Sequence, residues 1–187
     1  MRPGRSCPLT YRYAPGDFAR AAEIHADTLY VIGGLYGNTC ALHAVLELAA
    51  RERAVLVFNG DFNWFDIHDA EFRAINDEVL RHHALRGNAE TEIASDDEAA
   101  SNGCGCAYPE WVGDSEVERS NAISVMLRDT AQRQASIRAR LAALPMHAVA
   151  EVAGVRVAIV HGDLQSLAGW TLAQENLHST EAEKIIL

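Results

Sequence analysis

The 187-residue chain has no long apolar run, which removes a helical membrane span from consideration. Arg2, Gly4, Arg5 and Pro8 break up the N-terminus, so no signal-peptide core is expected there, and the cytoplasm is the expected compartment. Cysteine is scarce. Cys7, Cys40, Cys104 and Cys106 are too few and too unevenly spread for a disulfide framework. Positive charge is scarce as well, with 16 Lys and Arg against 26 Asp and Glu; the net charge of −10 argues against a nucleic-acid partner, which would want a basic face. Internal repeats and low-complexity linkers are missing, so residues 1–187 read as a single domain. With 49% apolar residues a chain of this length can bury a sizeable core. No signal bears on an oligomeric state.

What is present is organised around Leu29-Tyr30-Val31-Ile32-Gly33-Gly34-Leu35-Tyr36-Gly37-Asn38, a short apolar run that leads into a glycine-rich turn. Behind it, residues 39–51 place Leu42, Val45, Leu46 and Leu48 at helical spacing, with Thr39 where an N-cap would stand. Strand, glycine turn and amphipathic helix make the opening unit of an α/β domain. Ala54–Phe58 reads as a second strand ending at Gly60-Asp61-Phe62-Asn63, and residues 69–80 as a second helix with Phe72, Ile75 and Leu80 inward. His82 and His83 close that helix. Residues 84–86 read as a third strand ending at Gly87-Asn88-Ala89-Glu90, followed by an acidic run to Glu98 that reads as a solvated face. Residues 116–144 form two helices divided near Asp129-Thr130. His147–Glu151 and Val155–Val160 form a hairpin through Gly154 that ends at His161-Gly162-Asp163, and a last helix covers residues 172–177. Residues 1–27, with Pro3, Pro8 and Pro15, read as an arm carrying a short helix after Pro15, and residues 101–113 as a Cys- and Gly-rich loop insert.

Four strand ends therefore deliver Gly34-Leu35-Tyr36-Gly37-Asn38, Gly60-Asp61, Gly87-Asn88 and His161-Gly162-Asp163. Asp, Asn and His are oxygen and nitrogen donors suited to Mn, Fe or Zn. Glycines beside them let backbone amides approach an anion. A dinucleotide-binding reading fails, because Gly33 to Gly37 does not have the G-x-G-x-x-G spacing.

In their order and spacing these blocks resemble the calcineurin-like metallophosphoesterases, whose motifs run D-x-H-G-N, G-D-x-x-D, G-N-H-E/D, H-G and G-H-x-H. The resemblance runs from about Tyr30 to Trp170 and keeps the order of the first four blocks. It implies a sandwich of two mixed β-sheets flanked by helices, and a phosphoric ester hydrolase holding divalent metal. It further implies Asp61 as the metal-bridging aspartate and Asn88 and His161 as ligands of the second ion. The departures are specific: Gly34 and Tyr36 replace the first aspartate and histidine, Trp64 the second aspartate of the Gly-Asp block, and Ala89 the histidine that assists the leaving group. No G-H-x-H occurs, so the C-terminal part of the family fold is expected to be missing.

What survives is about half a site, expected to hold one ion rather than two and to act on a small phosphorylated molecule. Tyr36, Asn38, Asn63, Glu90 and Asp163 are the expected phosphate or substrate contacts, and Tyr36, Asp66, His68, Glu90 or Asp163 are candidates to replace the missing acid. The alternative is a non-catalytic phospho-ligand binder on the same fold, which Gly34, Tyr36 and Ala89 favour. Cys104 and Cys106 read as two reduced thiols in a loop, with a soft-metal or redox pair as the other reading. Tyr108, Pro109 and Trp111 give that loop the character of an aromatic lid.

Overall fold

The computed structural model of the chain describes residues 2–95 and 103–176. It is a mixed α/β structure with two small sheets flanked by helices. The strands are β1 (Ile24–Ala26), β2 (Leu29–Ile32), β3 (Val55–Asn59), β4 (His83–Leu85), β5 (His147–Val152) and β6 (Val155–Val160); the helices are α1 (Thr39–Glu52), α2 (Asp69–Val79), α3 (Asn88–Ala94), α4 (Asp114–Gln132) and α5 (Ala135–Ala142).

One sheet has the order β2-β3-β4 and the other β1-β5-β6. The first is parallel throughout, which corrects the expectation of two mixed sheets. Its strands are joined by α1 and α2, and such crossovers return each strand in the same direction. The second sheet is mixed, with β1 parallel to β5 and β5 antiparallel to β6.

Side chains alternate faces along a strand, and β3 shows what that does here. Leu56 and Phe58 join the large core under the helices with Leu42, Phe72, Ile75, Leu127 and Leu141. Val57 joins a second cluster with Ile24, Leu85, Ala148, Ala150 and Ile159, drawn from both sheets. The strand is thus apolar on both faces, as its unbroken apolar sequence requires. Each large side chain in these clusters contributes roughly 1.5–3 kcal/mol by burial.

Several boundaries depart from the sequence reading. Asn38, not Thr39, caps α1, because its Oδ1 accepts from the Ala41 N–H at 2.9 Å. His83 lies in β4 rather than at the end of α2. Asp129 and Thr130 stay helical, since the Thr130 hydroxyl is taken up by the Ile67 and Met126 carbonyls; the helix breaks at Arg133-Gln134 instead. The acidic run from Glu90 is no solvated face: its first half is α3, with Glu90 and Glu92 buried, while residues 96–98 lie outside the described part. Residues 172–176 form only the 3-10 turn Gln174–Asn176, and Leu177 lies outside the described part.

The N-terminal arm does carry a 3-10 turn after Pro15, yet it also supplies β1 and is tied in along its length. The Tyr11 hydroxyl donates to Glu92 Oε1 at 2.6 Å, and the Tyr13 hydroxyl donates to the Asp163 carbonyl at 2.6 Å. The loop that follows β6 is thereby pinned by the arm.

Candidate metal centre at the strand ends

β3, β4 and β6 end side by side, and glycine is what lets them do so. A Cβ on Gly60 would lie 2.5 Å from the Gly87 nitrogen and 2.7 Å from His161 Nδ1. A Cβ on Gly87 would overlap Asp61 Oδ1. Neither position tolerates a side chain, so the glycines set the approach of the residues that follow them. Asp61 itself takes a left-handed backbone (φ 50°), a conformation uncommon outside glycine and costly unless held.

Glu90 does the holding. Its side chain is fully buried, and Oε2 accepts from the Asp61 and Gly87 N–H groups at 2.8 and 2.9 Å. Oε1 accepts from the backbone and side-chain N–H groups of Asn63, both at 3.1 Å. Burial, together with the nearby Asp61 charge, pushes the Glu90 carboxyl up, while three backbone N–H bonds oppose the shift. With N–H donors on both oxygens and no acceptor to receive a proton, the geometry is built for the carboxylate.

At the centre, Asp61 Oδ1 accepts from the Ala89 N–H at 3.0 Å, and Oδ2 lies 3.4 Å from His161 Nε2. Asn88 Nδ2 donates to the Cys104 carbonyl at 2.9 Å, which turns Oδ1 toward His161 Nε2 at 3.2 Å. His161 Nδ1 lies 2.7 Å from the Asn59 carbonyl and must donate to it, so Nε2 is the atom that faces two oxygens. That triangle is unfavourable unless a proton or a cation lies within it. A carboxylate oxygen, an amide oxygen and an imidazole nitrogen fit a single borderline divalent ion, and the Asn59 carbonyl is the outer partner such a histidine uses. Among the described residues no group of three His, Cys, Asp or Glu is placed to hold a metal, so any ion here depends on the Asn88 amide.

Without metal, His161 carries the proton. Burial lowers its pKa, but the charge and hydrogen bond of Asp61, the Asn59 carbonyl and Glu90 outweigh this and raise it to about 9. A raised histidine pKa stabilises the fold below its unfolded value and loses that contribution as pH rises through the folded value. Metal-free protein should therefore lose up to ~3 kcal/mol between pH 6.5 and 9 through this group. Thermal melts in chelator at the two pH values test this. The loss should shrink in His161→Gln, and an unchanged loss in that variant would contradict it.

Around the trio lie two adjoining hollows of about 230 and 320 Å³ that share Tyr36, Asp61, Asn88, Cys106 and Tyr108. Trp64 and Phe65 line the first, and His161, Gly162 and Trp170 line the second. Among the described residues, no Lys or Arg lines either one. The Tyr36 ring occupies the space a side chain on Gly34 would need, so the two departures from the motif are one structural event. Burial, then the charge of Asp61, raises the Tyr36 pKa, so the hydroxyl keeps its proton at neutral pH.

The other expected contacts are engaged elsewhere. Asn38 is a helix cap, and Asn63 is buried against Asn76 and Glu90. Asp163 accepts from Gln165, Ser166 and Thr171, which makes it the organiser of the loop after β6. Asp66 is buried beneath Gly37, its Oδ1 accepting from the Trp64 N–H, and burial pushes its carboxyl up to about 6. His68 is exposed at the start of α2. Of the candidate acids only Tyr36 lines the hollows. Cys104 and Cys106 form a disulfide rather than two reduced thiols, leaving Cys7 and Cys40 free. Sequence reading missed Phe65, Cys106 and Trp170 as lining residues; the one available signal was that Trp64-Phe65 directly follows the Gly-Asp turn.

No protein-family model matches the chain, and no curated protein matches it. Among solved structures, a hypothetical protein from Pyrococcus horikoshii OT3 is similar, with a TM-score of 0.47 and 19% identity over 70% of this chain. The chain spans 54% of that protein's length.

Proposed function

We propose that this chain is a metal-dependent phosphoric ester hydrolase of the calcineurin-like metallophosphoesterase type, reduced to a site for one divalent ion at Asp61, Asn88 and His161. The observation that carries the reading is the convergence of Asp61 Oδ2 and Asn88 Oδ1 on His161 Nε2 at 3.4 and 3.2 Å, at the ends of three strands. The apolar cluster shared by the two sheets supports the sandwich that this family would bring.

A bound Mn, Fe or Zn ion would polarise a phosphoryl oxygen and lower the pKa of a bound water. The chain's own residues account for the rest. Asn59 fixes the His161 tautomer so that Nε2 is the donor atom. Glu90 fixes the Asp61 backbone, and the Cys104 carbonyl fixes the Asn88 amide. Tyr36, protonated and at the mouth, donates a hydrogen bond to a phosphoryl or leaving oxygen. Ala89 has no titratable side chain, so a general acid worth about 10²–10⁴-fold is missing and turnover is slow.

The second reading, a phospho-ligand binder without turnover, draws on Tyr36 filling the place of the first metal's ligands. Such a binder would hold its ligand in the presence of a chelator, which sits badly with a cleft where, among the described residues, no Lys or Arg is placed to hold a phosphate beside Asp61. Calorimetric titration with Mn²⁺ tests the centre itself. One ion should bind, and Asp61→Ala or His161→Ala should weaken it by at least about tenfold, no less than losing an outer partner costs. Equal Mn²⁺ affinity in all three proteins would refute the assignment.

A further inference from the structure

Resting on the phosphoester reading, we infer that the substrate carries a planar aromatic group next to its phosphate, and that this ring docks against Tyr36, Trp64, Phe65 and Tyr108. Aromatic residues make up only 7% of the chain. The three tryptophans nevertheless gather here: Trp64 lines the smaller hollow, Trp170 lines the larger one, and Trp111 packs edge-on against Trp170 at 5.6 Å. The smaller hollow is lined by those four rings together with Asp61, Asn88 and Cys106, without an aliphatic side chain. The larger hollow does include Leu167 and Leu172, so it is the smaller one that selects for a ring: a hollow meant for an alkyl chain would be walled by Leu, Ile or Val. Flat walls instead reward a flat ligand through offset or edge-to-face packing.

Exposure strengthens the case. Phe65 is 64% exposed and Tyr36 47% exposed, although burying either would stabilise the fold. Both line the smaller hollow together with Asp61 and Asn88, so an aromatic patch and the proposed phosphoryl site share an edge. Among the described residues no Lys or Arg lines the cleft, so none of them pairs with the extra charge of a ligand with several phosphates. A single phosphoryl group and one planar ring carried on the same small molecule is the chemistry that fits. A nucleobase and a simple aryl group both meet it.

The test is calorimetric binding to Mn²⁺-loaded protein with adenosine 5′-monophosphate, phenyl phosphate and glycerol 2-phosphate. At least one planar compound should bind roughly tenfold more tightly than glycerol 2-phosphate, about the worth of one base–aromatic stack. Tight binding of adenosine 5′-monophosphate alone identifies a nucleobase, and tight binding of both an aryl ring. Phe65→Ala should abolish the preference and Phe65→Trp should restore it. Val155→Ala, exposed at the hairpin end of β6, should keep it and serves as the control for folding. Equal affinity for all three compounds, or a preference that survives Phe65→Ala, overturns the inference while leaving the hydrolase reading intact. No binding of any compound, with no hydrolysis of an aryl phosphodiester, overturns both.

Discussion

Glu90→Ala should cost this protein roughly 4 kcal/mol or more, because it leaves up to four buried N–H groups without an acceptor and each such group costs about 1–3 kcal/mol. Set against a total stability of about 5–15 kcal/mol, that loss is a large part of the fold. For a chain of this size the melting temperature should fall by about 8 °C or more. The damage would be local as well as global. Asp61 and Gly87 are two of the donors, so the left-handed turn at Asp61 and the approach of β4 would loosen together. Glu90→Gln separates charge from shape. Its amide nitrogen would face N–H donors, so Gln should recover little of the stability if the native group is a carboxylate. Thermal and urea unfolding of the two variants decide the matter: a Gln variant as stable as the parent would mean that Glu90 is protonated in the fold.

Glu90 also shows where the sequence stops being legible. β2, β3 and β6 were readable because each is a largely apolar run closed by glycine or His-Gly, and the turns behind them held Tyr36, Asp61 and His161. Helix α3 was not readable as a buried element. Its inward face carries Glu90 and Glu92, whose partners Asp61, Asn63, Tyr11 and Arg128 are brought to it only by the fold. A run of acids reads as solvated until those donors are placed. β1 was hidden for a similar reason. It is three residues in a proline-containing arm, and it becomes a strand by pairing with β5, as in Ile24 with Ala150. At the site, the motif order pointed to Asp61, Asn88 and His161, but it could not show that Tyr36 fills the space beside Gly34, or that Asn38, Asn63 and Asp163 spend their polar atoms on caps and turns. Those are facts of packing, and single-residue chemistry does not carry them.

Asp61→Ala should have the largest effect on chemistry. Among the described residues Asp61 is the one carboxylate that lines both hollows, and its Oδ2 lies 3.4 Å from His161 Nε2. On the proposed reading, removing it takes away the negative charge that would draw a cation to this place, and Asn88 and His161 alone are neutral donors once His161 gives up its proton. If about 4 kcal/mol of transition-state stabilisation depends on the ion, the rate falls about a thousandfold. On the hydrolase reading Ala89 already leaves out a general acid, so the parent rate should be low and the variant should reach background. The decisive measurement is hydrolysis of bis-(4-nitrophenyl) phosphate during Mn²⁺ titration, with Asp61→Ala purified in parallel. Slow turnover that saturates with Mn²⁺, is abolished by chelator and vanishes in Asp61→Ala is the predicted result. Two proteins equally inactive, or equally active, would contradict a metal-dependent phosphoesterase centred on Asp61.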